Sequence, residues 1–333
     1  MARASHRPED RRKRRRRRFG QTLLWGTAAV GIPALANALI ARRNRKLDGT
    51  GWGRRRRYAW KLGEIAFQQA GDGAPIVLVH SFGPGYDSEQ WHDAGLAIAE
   101  RHRVFAPDLL GWGHSDKPAV RYDGELYIQA LRDFLEEVVR ERATVIGVGL
   151  TASYAVQVAV DYPELVAGLG LVCPIGLGPD TDEPDLTDAL TNRALRLPLV
   201  GTTTLNLYTS RAAIARHLRR EVYFAADRLD TGRVEHHYRS SHQPGSHLAL
   251  AAQLSGYLNH AVESSLPRLD QPVWLAWGRA STSPPVEAAD LWLSRLPGAG
   301  LDVFDSAGRL PHLEVPRVFA DRLFAFLDRT SGR

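Results

Sequence analysis

Short apolar runs alternate with longer amphipathic segments along most of the chain. The runs typical of strands cover residues 64–69, 74–80, 103–107, 143–147, 166–173, 272–277 and 301–304. The segments typical of helices cover residues 90–100, 127–140, 150–160, 285–296 and 317–327. A near-continuous apolar strand such as 74–80 is typical of a parallel sheet that is buried on both faces. The alternation predicts an α/β fold with a doubly wound, mostly parallel sheet.

The alternation stops between residues 176 and 269. This stretch is helix-like and rich in His and Tyr. Ligands of open α/β sheets bind at the carboxyl ends of the strands, so an insertion of this size at that edge would cover the binding place. We therefore expect a core formed by residues 58–175 and 270–333 and a helical cap formed by residues 176–269.

The N-terminal segment differs in composition from the rest of the chain. Residues 11–18 are wholly basic, residues 19–40 contain no charge, and residues 41–46 are basic again. A helix over the uncharged run would be about 33 Å long, enough to cross the hydrocarbon core of a bilayer. We expect a basic tail over residues 1–18, a single-pass membrane anchor in an N-terminal helix over 19–40, and a basic linker over 41–57.

Two other interpretations of this segment stay open. Arg16-Arg17-Arg18-Phe19 resembles a twin-arginine start and Ala34-Leu35-Ala36 a cleavage site, as in an export signal. The second interpretation is a soluble basic tail that contacts anionic lipid or RNA. If the segment spans a bilayer, the positive-inside rule favours a cytoplasmic tail and a main domain outside. The basic residues that follow the segment favour the opposite orientation; they are Arg42, Arg43, Arg45 and Arg54–Arg57. The run Arg54–Arg57 is either part of a solvated linker or a contact with lipid headgroups.

The net charge of +6 comes from the tail. Of the 43 Lys and Arg residues, 14 lie in residues 1–46, against two of the 37 Asp and Glu residues. The rest of the chain holds 29 basic and 35 acidic residues, a net charge of −6. A nucleic-acid-binding body carries positive charge on its folded surface, so we expect no nucleic-acid partner. The one cysteine, Cys173, excludes an intramolecular disulfide.

Several motifs occur in the order that one enzyme family shows. They lie at residues 80–83, 108–118, 145–154, 162–166, 277–279 and 308–316. In turn they resemble the H-G-x-G oxyanion loop, the D-L-x-G-x-G-x-S loop, the nucleophile elbow, the segment after the elbow helix, the start of the acid loop and the G-H-x-P-H-x-E-x-P loop. On these motifs the body, from about residue 58 to residue 327, resembles the capped α/β-hydrolases.

The resemblance implies a Ser, Asp and His triad, and all three positions differ in this chain. Gly149 stands at the serine position, Ser281 at the acid position and Arg309 at the histidine position. A serine attacks only when an imidazole takes its proton and a carboxylate orients the imidazole, so the three groups act as a unit. We therefore expect a pseudoenzyme with a degenerate triad that lacks ordinary serine-hydrolase activity.

The resemblance also implies an oxyanion hole formed by the backbone N–H groups of Phe82 and Leu150. Backbone donors survive a change of side chain, so an anion or a carbonyl can still bind there. We expect a small apolar or acyl-type ligand, or a partner, in the cap pocket. Arg309 is either a contact for an anionic ligand or an ordinary solvated or ion-paired arginine.

Two alternatives to a ligand-binding pseudoenzyme stay open. One is an active, noncanonical hydrolase that cleaves an ester or related bond. It would use His312 as a base, or the hydroxyl of Thr151 or Ser153 as a nucleophile. The other is an anchored scaffold whose basic tail carries the function.

Four histidines lie close together in the cap, at His236, His237, His242 and His247. No cysteine accompanies them, and their spacing fits no common helix-face ligand pair. We expect no metal and no cofactor, and assign these residues to lining or capping a pocket. The chain also lacks the G-x-G-x-x-G and G-K-[ST] patterns of nucleotide-binding loops.

Overall fold

The computed structural model describes residues 31–47, 51–178, 181 and 184–330. Within them lies an eight-stranded sheet with the order β1-β2-β4-β3-β5-β6-β7-β8. The strands are β1 Arg54–Trp60, β2 Gly63–Ala70, β3 Pro75–Val79, β4 Arg103–Pro107, β5 Ala143–Val148, β6 Val166–Val172, β7 Val273–Gly278 and β8 Gly300–Phe304. β2 is antiparallel to both β1 and β4, and the other neighbours are parallel. The predicted mostly parallel sheet is confirmed.

The described helices follow in chain order. They are α1 over residues 31–43, α2 His92–Ala99, α3 Gly124–Phe134, α4 Leu150–Asp161, α5 Leu186–Leu195, α6 Val200–Tyr208, α7 Arg211–His217, α8 Thr231–Ser241, α9 Ser246–Leu254, α10 Ala288–Arg295, α11 Pro311–Glu314 and α12 Pro316–Thr330. Single π-helical turns continue α3 over Leu135–Val139 and α7 over Leu218–Val222.

The sheet is buried on both faces because its side chains alternate between two cores. Val77 and Val79 of β3 pack in the core that contains α3, α4 and α10. Ile76 and Leu78 of the same strand pack in the core that contains α2 and α12. Every residue of β3, β5 and β7 is buried, which explains their continuous apolar sequences.

Helices α5 to α9 form the cap between β6 and β7. A partly buried ion pair joins the cap to the core, since His236 Nε2 of α8 lies 2.9 Å from Asp87 Oδ2 in the loop after β3. Ser240 Oγ donates to the same carboxylate at 3.1 Å. Gln243 Nε2 donates to the Gly113 carbonyl at 2.9 Å. These contacts hold the cap above the carboxyl ends of the strands.

Helix α1 packs on the cap. Asn37 Nδ2 donates to Thr203 Oγ1 at 3.0 Å, and Asn206 Nδ2 donates to Asn37 Oδ1 at 2.8 Å. Residues 19–30 of the expected anchor lie outside the described residues. In the part of the chain that the structure describes, no helix combines the length and hydropathy that a bilayer crossing requires. The membrane anchor therefore stays a prediction.

One expectation about the linker is wrong. Residues 54–57 do not belong to a linker but begin β1, with Arg55 opposite Gln68 and Arg57 opposite Ala66. Arg57 Nη1 also bonds Glu64 Oε2 at 2.8 Å. Four consecutive arginines hide the strand in the sequence, yet an edge strand tolerates and even favours exposed charge.

Candidate functional site

The turn between β5 and α4 keeps the geometry of a nucleophile elbow. Gly149 at its tip has a φ of 61° and a ψ of −121°, a positive-φ conformation that side-chain-bearing residues adopt only with strain. Its N–H donates to the Val172 carbonyl at 3.0 Å. A Cβ on Gly147 would lie 2.6 Å from the Thr151 carbonyl oxygen, so the tight return of the chain needs glycine there. The turn therefore has the backbone geometry of an elbow, with glycine at its tip.

The guanidinium of Arg309 lies beside the tip of this turn. A Cβ built on Gly149 would be 3.4 Å from Arg309 Nη2. The backbone N–H of Arg309 donates to the Val222 carbonyl at 3.1 Å, which fixes the loop against the cap. Arg309 Nε is buried and has no hydrogen-bond partner among the described residues. Gly149 and Arg309, which the resemblance assigns to the serine and histidine positions, are therefore neighbours.

Ser281 lies on the loop after β7 and is buried. Its hydroxyl donates to the Pro284 carbonyl at 2.7 Å. Burial raises the pKa of the neighbouring Cys173 thiol to about 11, against the opposing effects of a backbone hydrogen bond from Gly278 and a side-chain hydrogen bond from Ser281. Ser281, the residue that the resemblance assigns to the acid position, thus presents a neutral hydroxyl near a neutral thiol.

The two expected oxyanion donors lie at adjacent ends of the sheet. Val79 of β3 pairs with Gly147 of β5, so the loop that carries Phe82 runs beside the turn that carries Leu150. Leu150 begins α4, and the first N–H groups of a helix have no partner within it. The Phe82 N–H has no acceptor among the described residues. Both donors are free to bind a ligand oxygen.

Serine at position 81, where the family has glycine, is accommodated by one side chain. Ser81 N–H donates to Gln90 Oε1 at 3.0 Å, and Gln90 Nε2 donates to Ser81 Oγ at 3.4 Å. The Phe82 ring packs on Tyr127 and Trp112, with centroid distances of 5.0 and 5.4 Å. Gln90 and this aromatic cluster fix the oxyanion loop.

The two hydroxyls next to the elbow serve the local backbone. Thr151 Oγ1 accepts from the Val148 N–H at 2.9 Å and donates to the Val148 carbonyl at 3.0 Å. Ser153 Oγ donates to the Leu150 carbonyl at 2.7 Å. Both residues are fully buried. Neither hydroxyl has a described base within hydrogen-bond distance.

His312 is fully buried. Its ring stacks on Trp91 with a centroid distance of 3.9 Å, and both ring nitrogens lack a hydrogen-bond partner among the described residues. Burial, with a smaller effect from Arg233, lowers the pKa of His312 to about 3. The ring is therefore neutral at physiological pH.

A hydroxyl–imidazole–carboxylate chain that the sequence analysis missed connects the core to the cap. Tyr86 Oη lies 3.1 Å from His217 Nε2, and His217 Nδ1 lies 2.9 Å from Glu221 Oε2. Burial raises the pKa of Tyr86, and the charge of Arg309 opposes that rise. Burial lowers the pKa of His217, and Glu221 opposes that effect. The i, i+4 spacing of His217 and Glu221 was the only sequence signal for this chain.

A cavity of about 320 Å³ opens between the cap and the core. Its lining includes Tyr86, Asp87, Gln90, Arg233, His236 and Leu310. Burial disfavours both charges of the Asp87–His236 pair, but the mutual attraction outweighs it. The pKa of His236 is raised to about 9, and that of Asp87 is held below its usual range. The cavity wall therefore contains a charged pair at neutral pH.

The cap histidines have separate contacts. His237 Nδ1 lies 2.9 Å from the Pro84 carbonyl oxygen, and His242 Nδ1 lies 2.6 Å from that of Tyr238. Burial lowers the pKa of His237 to about 4, with a further contribution from His236. Among the described residues, no group of His, Cys, Asp or Glu is arranged to hold a metal ion.

Comparisons with known proteins agree with this architecture. A model of the alpha/beta hydrolase family matches residues 76–322. An uncharacterized protein of Mycobacterium tuberculosis is 30% identical over 287 residues, which cover 80% of this chain and 78% of that protein. The 2-hydroxy-6-oxo-6-(2'-aminophenyl)hexa-2,4-dienoic acid hydrolase of Metapseudomonas resinovorans is 24% identical over 273 residues, covering 80% and 88% of the two chains.

Solved structures show the same fold at low identity. The CarC serine hydrolase of carbazole degradation superposes with a TM-score of 0.68 at 21% identity, covering 83% of this chain and 98% of that one. A bacterial membrane phospholipase A superposes with a TM-score of 0.68 at 23% identity, covering 96% of this chain and all of that one. By its fold and by the family match over most of its length, the chain belongs to the alpha/beta hydrolase family.

Proposed function

We propose that this chain is a membrane-associated member of the family that binds a small acyl- or carboxylate-bearing ligand beneath its cap and does not carry out serine hydrolysis. One observation carries the proposal. Arg309 Nη2 lies 3.4 Å from the position that the Cβ of a nucleophile would occupy at Gly149. A cationic donor has replaced the proton acceptor at the centre of the site.

The chemistry of the three positions argues against hydrolysis. Gly149 has no atom that can attack a carbonyl, and a guanidinium stays protonated and accepts no proton. Ser281 contributes no carboxylate. The neighbouring hydroxyls are bonded to backbone carbonyls, and His312 is stacked in the core, so none of them is placed to restore a nucleophile–base pair.

The same positions favour an anion. A buried guanidinium nitrogen without a partner is costly, and a carboxylate that accepts from it removes that cost. The N–H groups of Phe82 and Leu150 and the positive end of the α4 dipole add further donors. The names of related enzymes, such as 2-hydroxy-6-oxo-2,4-heptadienoate hydrolase of Pseudomonas putida, describe carboxylic acids as substrates, which supports this ligand class.

The test is binding of straight-chain carboxylates to the full-length protein, measured by calorimetry. We expect octanoate to bind and octanol to bind at least tenfold more weakly, because a charge-assisted hydrogen bond contributes about 1.5–3 kcal/mol. Arg309→Gln should remove the preference. Arg279→Gln, which changes an exposed arginine paired with Asp305 on a neighbouring loop, is the matched control and should keep it. Equal binding of acid and alcohol by the native chain would contradict the proposal.

Membrane association through residues 19–40 is the second part of the proposal. The basic flanks and the uncharged run support it, as does the likeness to a solved membrane phospholipase A over 96% of this chain. We expect the full chain to stay in the membrane fraction after a carbonate wash, with the main domain on the extracytoplasmic side. Release of the intact chain by carbonate would contradict the proposed anchor. Release of a chain shortened at its N-terminus would indicate a cleaved export signal.

A second candidate function is cleavage of an ester or related bond through an unconventional hydroxyl. The Tyr86–His217–Glu221 chain favours it, because a hydroxyl hydrogen-bonded to an imidazole that is oriented by a carboxylate is the arrangement of a base-activated nucleophile. Turnover of p-nitrophenyl esters by the native chain, lost in both Tyr86→Phe and His217→Gln, would establish it. Turnover that only His312→Ala removes would instead identify His312 as the base.

A further inference from the structure

Large apolar side chains that remain exposed are concentrated on one part of the surface. In the described chain, nine of the fifteen such residues lie on α1, on α5 and α6, or on the turn between α5 and α6. We call these nine residues the apolar face: Ile32, Leu35, Leu39, Leu186, Leu190, Leu197, Val200, Leu207 and Tyr208. Leu186 is 77% exposed and Leu207 is 69% exposed. Single exposed apolar residues are ordinary, but a cluster of this size indicates a site of contact with a protein, a membrane or a ligand.

The members of the apolar face belong to one continuous surface. Asn37 of α1 exchanges hydrogen bonds with Thr203 and Asn206 of α6, at 3.0 and 2.8 Å. Helix α5 packs on α6. Along α1, the exposed positions Ile32, Leu35 and Leu39 follow the i, i+3, i+7 spacing of one helical stripe, whereas Asn37 faces the cap.

Positive charge borders this face on the side of α1. Arg42, Arg43, Arg45 and Lys46 are all exposed at the end of the helix, and residues 11–18 add a wholly basic run upstream in the sequence. Asp185 and Asp188 form a capping box at the start of α5 and place negative charge at that end of the face. The cations therefore border the face on its α1 side, whereas residues 47–333 as a whole carry a net charge of −6.

We propose that the apolar face rests on an anionic lipid bilayer, with the side chains of α1, α5 and α6 at the boundary between headgroups and acyl chains. Apolar residues bordered by Lys and Arg are the pattern of interfacial membrane contacts. Anionic headgroups complement the basic edge formed by Arg42, Arg43, Arg45 and Lys46. The inference rests on the proposed membrane association and deepens it, since it places residues 31–40 of α1 along the bilayer surface and adds α5 and α6 of the folded domain as contacts.

The experiment uses the full chain with one added cysteine labelled by the environment-sensitive fluorophore NBD. Leu190→Cys and Leu207→Cys place the label on the apolar face, and Leu291→Cys on α10, an exposed leucine outside that face, is the control. Cys173 is buried and stays unlabelled. The labelled proteins are mixed with vesicles of phosphatidylglycerol and phosphatidylcholine that contain brominated acyl chains, and vesicle binding is measured by flotation.

We expect a blue shift and at least twofold quenching of the labels at positions 190 and 207 on vesicles, and no change at position 291. Protein that floats with vesicles while both face labels stay unquenched would overturn the inference and leave the anchor intact. Protein that does not float at all would overturn the membrane association together with it. A blue shift without vesicles that depends on protein concentration would assign the face to contact between copies, which also overturns the inference.

Discussion

The elbow around Gly149 and the junction around Asp87 lie at the ends of strands in the same sheet, yet they contrast in what they keep. The turn has the backbone geometry of an elbow, including a φ of 61° at Gly149, and Gly149 carries no side chain. The junction holds a buried carboxylate that receives His236 Nε2 at 2.9 Å and Ser240 Oγ at 3.1 Å. Backbone geometry and reactive side chains are thus specified separately. In this chain the titratable groups hold the cap in place.

The largest expected effect comes from breaking the junction. Asp87→Asn removes the negative charge opposite His236 while keeping the side-chain shape. Removing one partner of a buried pair typically costs about 3–5 kcal/mol, so urea denaturation should show a loss of that order. Asp305→Asn, at an exposed carboxylate that pairs with Arg279, is the control and should cost less than about 1 kcal/mol. Equal losses in the two variants would mean that the junction is not a stabilising pair.

The acid side of the stability profile should depend on His312. Its pKa of about 3 in the folded chain lies below the value of 6.5 expected when unfolded, so the unfolded chain binds the extra proton between these values. Stability is therefore fully present above pH 6.5 and falls toward pH 3, by at most about 1.4 kcal/mol per pH unit for this group. His312→Phe keeps an aromatic ring against Trp91 and should flatten the profile by that amount. An unchanged acid slope in this variant would contradict the burial of a neutral ring.

The alkaline side should depend on His236. Its pKa of about 9 lies above the unfolded value of 6.5, so the stabilisation is fully present below pH 6.5 and is lost as the pH rises through 9. We expect the native chain to lose about 3 kcal/mol over this range. In His236→Gln, thermal denaturation between pH 6 and 9.5 should show no such loss. Identical pH profiles for the native chain and the variant would show that the His236–Asp87 pair does not stabilise the fold.

The smallest expected effect is that of Ser281, on the loop after β7. Ser281→Ala removes one hydrogen bond, to the Pro284 carbonyl, and should cost about 1 kcal/mol without changing ligand binding. Thr282→Ala on the same loop is the control. A strong loss of octanoate affinity in Ser281→Ala would assign this hydroxyl a direct contact with the ligand.

The sequence was sufficient for the architecture because the sheet is buried on both faces and its strands are continuous apolar runs. It was insufficient for β1, where consecutive arginines conceal an edge strand. The assignment of Gly149 and Arg309 to triad positions is what the family resemblance implies, but the direction of the guanidinium depends on tertiary packing. The contact between Tyr86 of the core and His217 of the cap joins residues 131 positions apart, and no local sequence pattern predicts it.

The most direct test of the central claim compares p-nitrophenyl ester hydrolysis by the full-length native chain with that of a Gly149→Ser, Ser281→Asp, Arg309→His variant. Because the triad acts as a unit, the account predicts the buffer rate for the native chain and a rate at least about 10³-fold higher for the restored variant. Gly149→Ser alone should stay silent, since Arg309 accepts no proton. Clear turnover by the native chain, or silence from a restored variant whose thermal unfolding is cooperative, would contradict the account.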